Sequence, residues 1–323
     1  MKLGPGTGLD NGVVSIGRGR VMILTVDPVS AIPAFGMSMS AWLSVHLIAS
    51  DYTTSGNDPE YAMFTYNFPS EMTMADREVY VRSIGIECGA LGVTIAGGHT
   101  GSYPGSGLTV IGSGSMLGFA SENAYVAPSM ARAGDKIVMT KQAAIEATCS
   151  LATSFPDFVE SRVGAVFTKR AREQVKLCST VADARAARSV GIGARGISSM
   201  HDATEGGVLG ALQEMAIASE MRFVVHPDRI PVAPESGAVC EAFGLDPLMT
   251  MGEGALLITC FPEKVPPLRR ALGRSGVESA EIGLVERGQG LVMMDSHGHG
   301  CPFVPHGDAY WNTYSRAMDR RLR

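Results

Sequence analysis

Asp10, Asp27 and Asp51 stand early in the chain, each beside or close to glycine or proline. A hard divalent cation such as Mg²⁺ takes oxygen ligands and commonly shares one or two carboxylates with substrate phosphates. The three are therefore candidate metal ligands, and Asp10 is also a candidate nucleotide contact. A single loop aspartate serves equally well in an Asx-turn or a cap; the grouping of three is what points to a cation. A second such stretch is Val93-Thr94-Ile95-Ala96-Gly97-Gly98-His99-Thr100-Gly101. Its β-branched start predicts a strand, and Gly97 and Gly98 at the strand end remove side chains that would hold a ligand off the backbone. Gly97, Gly98 and Thr100 are candidate nucleotide contacts, although strand-Gly-Gly also describes a structural bulge. A third is His201-Asp202-Ala203-Thr204-Glu205-Gly206-Gly207, a polar turn between a short strand and a helix. A helix N-terminus offers unpaired N–H groups to an anion. Thr204, Gly206 and Gly207 are thus candidate phosphate contacts, with Asp202 a candidate catalytic residue; a plain N-cap at Asp202 or Thr204 fits the same letters.

The elements that must position these residues follow from periodicity and turn chemistry. Gly4, Gly6 and Gly8 alternate ahead of Asp10, making a flexible segment that either closes over phosphates or frays as a terminus. Residues 13–16 and 21–26 read as a hairpin through Gly17-Arg18-Gly19, delivering Asp27 at the end of the second strand. A helix over 37–50 carries Asp51 near its C-terminal end, where a carboxylate opposes the helix dipole and is better held by a cation. A strand over 61–68 follows, then a helix opened by Thr73 and Asp76 and closed at Gly92, then a strand over 108–117. The Ala/Pro/Gly-containing connection 120–134 divides an N-terminal domain, 1–125, from a C-terminal one, 126–323. In the second, a strand over 136–140 leads into Lys141, a further candidate nucleotide contact. Helices are expected over 143–152, over the arginine-rich stretch 158–190, from 208 and over 266–275. Strands are expected over 197–200, 223–225, 254–260, 278–285 and 291–294.

Composition narrows the classes of function. At 323 residues the chain is long for one core. A net charge of −5 without a sustained Lys/Arg run argues against a nucleic-acid partner. Cys88, Cys149, Cys178, Cys240, Cys260 and Cys301 form no C-x-x-C pair, and five lie in apolar periodic segments, as reduced core thiols of a cytoplasmic protein do. No apolar run is long enough to span a membrane, and no secretory leader opens the sequence.

Taken in order, Gly8-Leu9-Asp10-Asn11-Gly12-Val13-Val14, Thr25-Val26-Asp27-Pro28, Ser50-Asp51 with Gly56, Ala96-Gly97-Gly98-His99-Thr100, Gly134-Asp135-Lys136-Ile137 and the 201–207 stretch resemble the aminoimidazole-ribonucleotide (AIR) synthetase superfamily. Ala144-Ile145-Glu146-Ala147-Thr148 and Pro247 with Gly254-Ala255-Leu256-Leu257-Ile258 resemble its AIR synthase-related, HypE-like subgroup. The resemblance implies a two-domain α/β (α+β) protein with an N-terminal dimerising mixed-sheet domain and a C-terminal α/β domain. It implies a homodimer binding ATP with Mg²⁺, Asp10, Asp27 and Asp51 at the metal and phosphates, and Gly4, Gly6 and Gly8 in a mobile cover. It further implies activation of an amide-type oxygen by phosphorylation, on a small-molecule or protein substrate.

Two departures accompany the resemblance. Most relatives have Asp or Glu where this chain has His99, which makes the imidazole a candidate catalytic base. HypE dehydratases carry a reactive C-terminal cysteine, whereas this sequence ends Asp319-Arg320-Arg321-Leu322-Arg323, and Cys301 in His297-Gly298-His299-Gly300-Cys301 is a poor stand-in. The expectation is thus an ATP- and Mg²⁺-dependent enzyme; the alternatives are a non-catalytic nucleotide-binding maturation partner and a kinase of the thiamine-phosphate kinase type.

Overall fold

The computed structural model describes every residue except 194, 195, 306, 321 and 323. The chain forms two compact units: Met1–Pro5 with Asp10–Tyr125, and Gly6–Leu9 with Val126–Arg323. The two-domain α/β class expected from sequence is what the two units show, each a mixed sheet with helices packed on it.

In the first unit, strands β1 (Gly12–Gly17), β2 (Arg20–Ser30), β3 (Tyr61–Phe68), β4 (Thr94–Ser102) and β5 (Val110–Ser121) order as β1-β2-β5-β3-β4. All pairs are antiparallel except β3 with β4. Helices α1 (Met37–Thr53) and α2 (Met74–Leu91) pack together, α1 lying on β2 and β5. Alternation sorts the strands: Val21, Ile23, Thr25 and Val29 on β2, and Ala62, Phe64, Tyr66 and Phe68 on β3, are buried. The other face holds Met22, Leu24, Val26, Tyr61 and Met63, of which Val26 and Met63 are well exposed. Thr73 caps α2, accepting from the Asp76 N–H at 3.1 Å, and Gly92 ends it in the left-handed region at φ 81°.

Two expectations need correction here. β2 does not end at Asp27; it runs on to Ser30. Its pairing with β1 stops at Gly12 opposite Leu24, so Pro28 sits where β2 has β5 alone as partner and a missing donor is tolerated. Gly97 and Gly98 are not a strand-end turn either, since β4 carries on through them to Ser102. A Cβ on Gly98 would lie 2.2 Å from the Phe64 carbonyl oxygen, so this glycine permits close pairing with β3. The register slips between Ala62 and Met63, and Gly97 meets nothing within 4 Å.

In the second unit the sheet order is β12-β11-β8-β10-β6-β9-β7, with β6 (Lys136–Thr140), β7 (Ile197–Asp202), β8 (Arg222–Val225), β9 (Leu256–Cys260), β10 (Ser279–Glu286), β11 (Gly290–Met294) and β12 (Gly300–Pro302). The apolar run of β6 is explained by cover on both faces. Ile137 and Met139 point into one core with Val208, Leu212, Met215 and Phe223, while Val138 points into another with Ile197, Met200, Leu268 and Leu272. Helix α7 (Gly207–Ser219) supplies the first core; α6 (Val181–Arg188) and α9 (Val265–Arg274) supply the second. A third cluster joins α3 (Ile145–Ser154), α4 (Pro156–Val163), α5 (Ala165–Glu173), α8 (Pro234–Phe243) and α10 (Tyr310–Asp319). The arginine-rich stretch 158–190 is thus not one helix. Gly164, at φ 82°, separates α4 from α5, and a 3-10 turn, Gln174–Cys178, separates α5 from α6. Among the described residues no helix is long and apolar enough to cross a membrane.

Candidate functional site

At one end of the first sheet the elements converge on Thr25. Its hydroxyl donates to the Asp10 carbonyl at 2.8 Å and lies 3.4 Å from Asp51 Oδ2. Asn11, only 5% exposed, donates from Nδ2 to the Asp51 carbonyl at 2.8 Å and to Thr54 Oγ1 at 2.9 Å, and Thr54 returns a bond to the same carbonyl at 2.7 Å. These contacts tie the start of β1 to the last turn of α1 and fix Asp51 there. Asp27 is two residues beyond Thr25 on β2, hence on the same face, and is half-buried like Asp10 and Asp51. Asp51 sits at the negative end of the α1 dipole, and the ligand atoms of Asp10, Asp27 and Asp51 do not come together as a group within 4.8 Å of one another.

His99 and its neighbours lie elsewhere. β4 is separated from β2 by β5 and β3, about 14 Å at ordinary strand spacing, although His99 pairs with Thr65, Thr65 with Ser113 and Ser113 with Pro28 in one lateral row. Gly97, Gly98, His99 and Thr100 are all exposed on this edge strand. His99 Nε2 and the Tyr103 hydroxyl are 3.0 Å apart, and Tyr103 folds back so closely that a Cβ on Gly101 would lie 2.4 Å from its ring.

The glycine-rich segment is anchored. Lys2 and Leu3 bond with Val13, which sets Gly4 beside β1, and Lys2 pairs with Glu122. Gly6 accepts from the Leu9 N–H at 3.3 Å. Gly8, at φ 67°, packs on α7, where a Cβ would stand 2.5 Å from that of Glu214. Glu214 Oε2 in turn is 3.0 Å from His201 Nε2, whose side chain is 4% exposed. Sequence reasoning missed Glu214; the signal was a carboxylate inside the otherwise apolar face of α7.

His201 and Asp202 belong to β7 itself and are buried. Neither Asp202 nor Thr204 caps α7. The N-cap is Gly206, in left-handed conformation, and the first donors of the helix are taken by the chain. Gly207 N–H goes to the Thr204 carbonyl at 3.1 Å, Leu209 N–H to the Leu248 carbonyl at 3.0 Å and Gly206 N–H to Asp308 Oδ2 at 3.1 Å. A Cβ on Gly207 would meet the Thr250 and Leu248 carbonyls at 2.7 and 2.8 Å, so glycine here lets α7 nest on the 248–250 loop.

Lys141, at φ 54°, turns its ammonium inward. Nζ donates to the carbonyls of Ser179, Gly254 and Leu177 at 2.7, 2.9 and 3.1 Å and stands 3.0 Å from Asp183 Oδ2. The same carboxylate oxygen accepts from Thr140 Oγ1 at 2.6 Å. Burial raises the Asp183 pKa above its usual value even though Lys141 pulls it down. Lys141 thus clamps three segments of the second unit. Of the cysteines, five are buried and Cys301 is exposed on β12.

Comparison with known proteins places this arrangement. Residues 8–120 match the N-terminal domain, and residues 132–296 the C-terminal domain, of the AIR synthase related protein family. The carbamoyl dehydratase HypE of Bradyrhizobium diazoefficiens is 28% identical over 286 residues, covering 85% of this chain and 77% of the relative. A hydrogenase maturation protein HypE in complex with ATP superposes with a TM-score of 0.69 at 20% identity, over 88% of this chain and 84% of that one. AaThiL complexed with AMPPCP and TMP gives 0.72 at 17% identity, over 93% and 90%. With both of its domains matched, the chain belongs to the AIR synthase-related family.

Proposed function

We propose that the protein is an ATP- and Mg²⁺-dependent enzyme of the HypE type, which activates an amide-type oxygen by phosphorylation during maturation of a protein or cofactor. The observation that carries this reading is the likeness to HypE over 85% of the chain, joined to the fixing of Asp10 and Asp51 by Thr25, which bonds the Asp10 carbonyl at 2.8 Å and lies 3.4 Å from Asp51 Oδ2. Asp10, Asp27 and Asp51 would hold the cation, which supplies neutralisation of phosphate charge when bound. Thr25 and Asn11 orient the group: one hydroxyl and one amide fix the Asp10 and Asp51 backbones before any ligand arrives, so little ordering remains to be done on binding. His99 in the first unit and Asp202 in the second are each proposed to move a proton, and Gly97, Thr100 and Thr204 are proposed nucleotide contacts, whereas the Gly206 and Gly207 N–H groups are already taken within the chain. The open face of the first sheet supports a homodimer, because it carries apolar side chains on β2 (Met22, Leu24, Val26), on β5 (Leu117) and on β3 (Tyr61, Met63), with Val26 and Met63 well exposed. The protein is proposed to act in the cytoplasm.

Isothermal titration of Mg-ATP into the native chain and into Asp27→Asn and Asp51→Asn tests the reading. Each substitution keeps shape and removes charge, and at least a tenfold loss of affinity is expected, about 1.4 kcal/mol. Undiminished affinity in both variants overturns it. Turnover of ATP with a carbamoylated thiol, compared with thiamine monophosphate, then separates the dehydratase from the kinase alternative; turnover with neither favours the non-catalytic one.

A further inference from the structure

Cys149 and Cys178 come from different elements, α3 and the 3-10 turn Gln174–Cys178, yet their sulfurs are 3.8 Å apart. Cys149 Sγ–H points to the Glu146 carbonyl at 3.4 Å, which leaves its lone pairs facing Cys178. No other thiol is paired in this way among the described residues. We infer that Cys149 and Cys178 form a reversible dithiol/disulfide pair, oxidised by hydroperoxides, whose closure is transmitted to the Asp202–Thr204 turn.

The mechanical link runs through contacts within the second unit. A disulfide brings two sulfurs to about 2.05 Å, so closure requires about 1.8 Å of approach. The carbonyls on either side of Cys178, those of Leu177 and Ser179, are both held by Lys141, which also holds the Gly254 carbonyl. The Gly254 backbone lies against Cys178: a Cβ there would be 2.3 Å from the Leu177 oxygen and 2.9 Å from the Cys178 Cα. Gly252 N–H donates to the Thr204 carbonyl at 3.1 Å, and the Ala255 carbonyl accepts from Ala203 N–H at 2.9 Å. Cys178 therefore cannot move without shifting the 252–255 loop, and that loop cannot shift without releasing or re-aiming the turn after Asp202.

The chemistry balances with one hydroperoxide. The Cys178 thiol loses its proton and attacks one peroxide oxygen; the O–O bond breaks, the leaving oxygen takes up the proton, and a sulfenic acid remains on Cys178. Cys149 sulfur then attacks the Cys178 sulfur, the S–O bond breaks, and hydroxide leaves with the Cys149 proton as water. Two thiols are oxidised and the peroxide is reduced to two water-level oxygens. Cys178 is buried and its pKa is raised, chiefly by its hydrogen bond to Cys149 and then by burial, so the reaction is slow at neutral pH and quickens as pH rises. Leu177, beside it in the chain, is 39% exposed, whereas Cys178 itself is fully buried.

The test uses the full chain carrying Cys301→Ser, which removes the exposed thiol. After hydrogen peroxide, alkylation in denaturant and digestion without reduction, mass spectrometry is expected to find a peptide joining Cys149 to Cys178, two hydrogens lighter than the thiols and released by dithiothreitol. Cys149 and Cys178 both remaining alkylatable at every dose overturns the proposal. Hydrogen exchange of residues 203–207, compared between reduced and oxidised protein, is expected to change several-fold. An unchanged rate refutes the coupling even where the crosslink forms. The covalent readout does not depend on nucleotide binding, so its failure and failure of the ATP reading are distinguishable.

Discussion

Lys141→Met deletes the ammonium that three carbonyls and Asp183 share while keeping an unbranched apolar stem of similar length. The native side chain is 11% exposed and that of Asp183 1% exposed, so solvent does little to screen the loss. Removing one member of a buried ion pair costs about 3–5 kcal/mol, mostly from stranding the other charge. Each charge-assisted hydrogen bond adds a smaller, non-additive share. A loss of about 4 kcal/mol in the second unit is expected at pH 7. The deficit must depend on pH with a definite sign. Without Lys141, Asp183 loses its nearby cation and keeps only neutral donors such as Thr140 and backbone N–H, so its folded-state pKa, already raised by burial, rises further. A carboxyl whose pKa is raised in the folded state contributes its stability at low pH and loses it as pH climbs from about 3.9 through the folded value. The variant therefore approaches the native protein near pH 4 and falls away above it. Trp42 lies in the first unit and Trp311 in the second, so urea unfolding followed by fluorescence in a Trp42→Phe background reports on the second unit. A loss under about 1 kcal/mol, within the range of a surface pair, or a deficit equal at pH 4.5 and 7.5, would refute the reasoning.

Gly98→Ala places a methyl 2.2 Å from the Phe64 oxygen and should lower stability by about 1–3 kcal/mol, whereas Gly97→Ala, which meets nothing, should cost much less; thermal melts compare the two. Asp135 is fully buried, accepts from Ser198 and from the Arg132 N–H at 2.9 Å, and has its pKa raised by burial, so native stability should decline as pH rises above about 4. Asp135→Asn should flatten that slope, and an unaltered slope in chemical denaturation assigns it to other groups. Val26→Asp puts a charge on the open face of the first sheet and should turn the proposed homodimer into a monomer by light scattering at micromolar concentration. A dimer that persists counts against this face.

The sequence was most legible where local chemistry decides. β3 over 61–68, β6 over 136–140 and the Thr73 cap of α2 all fall where alternation and capping residues put them. The buried cysteines follow from their apolar surroundings. What was not legible depends on partners distant in the chain. Gly98 is bare because of Phe64, and Gly207, besides its positive φ of 62°, because of Leu248 and Thr250, partners that no local signal announces. Lys141 finds its acceptors 36 to 113 positions away, and no spacing rule announces that. Thr25 was not legible either: it bonds the Asp10 backbone carbonyl and lies 3.4 Å from Asp51 Oδ2, but in the sequence it looked like any strand threonine. Helix α10 was passed over although Tyr310, Tyr314 and Ala317 carry helical spacing, because aromatic and small residues there resemble a polar tail until α3 covers them.

Gly8 against Glu214 has a consequence for the order of events at the ribosome. Gly6–Leu9 is made before the rest of its unit, and its docking surface is α7, some 206 positions later. At ordinary elongation rates of 5–20 residues per second this segment waits about 10–40 s for its site. During that time the residues on either side of it, Lys2–Leu3 and Asp10 onward, are free to join β1 of the first unit. Docking of the four-residue arm therefore has to wait for α7, and delayed protease protection of residues 6–9 in a nascent chain would show that wait.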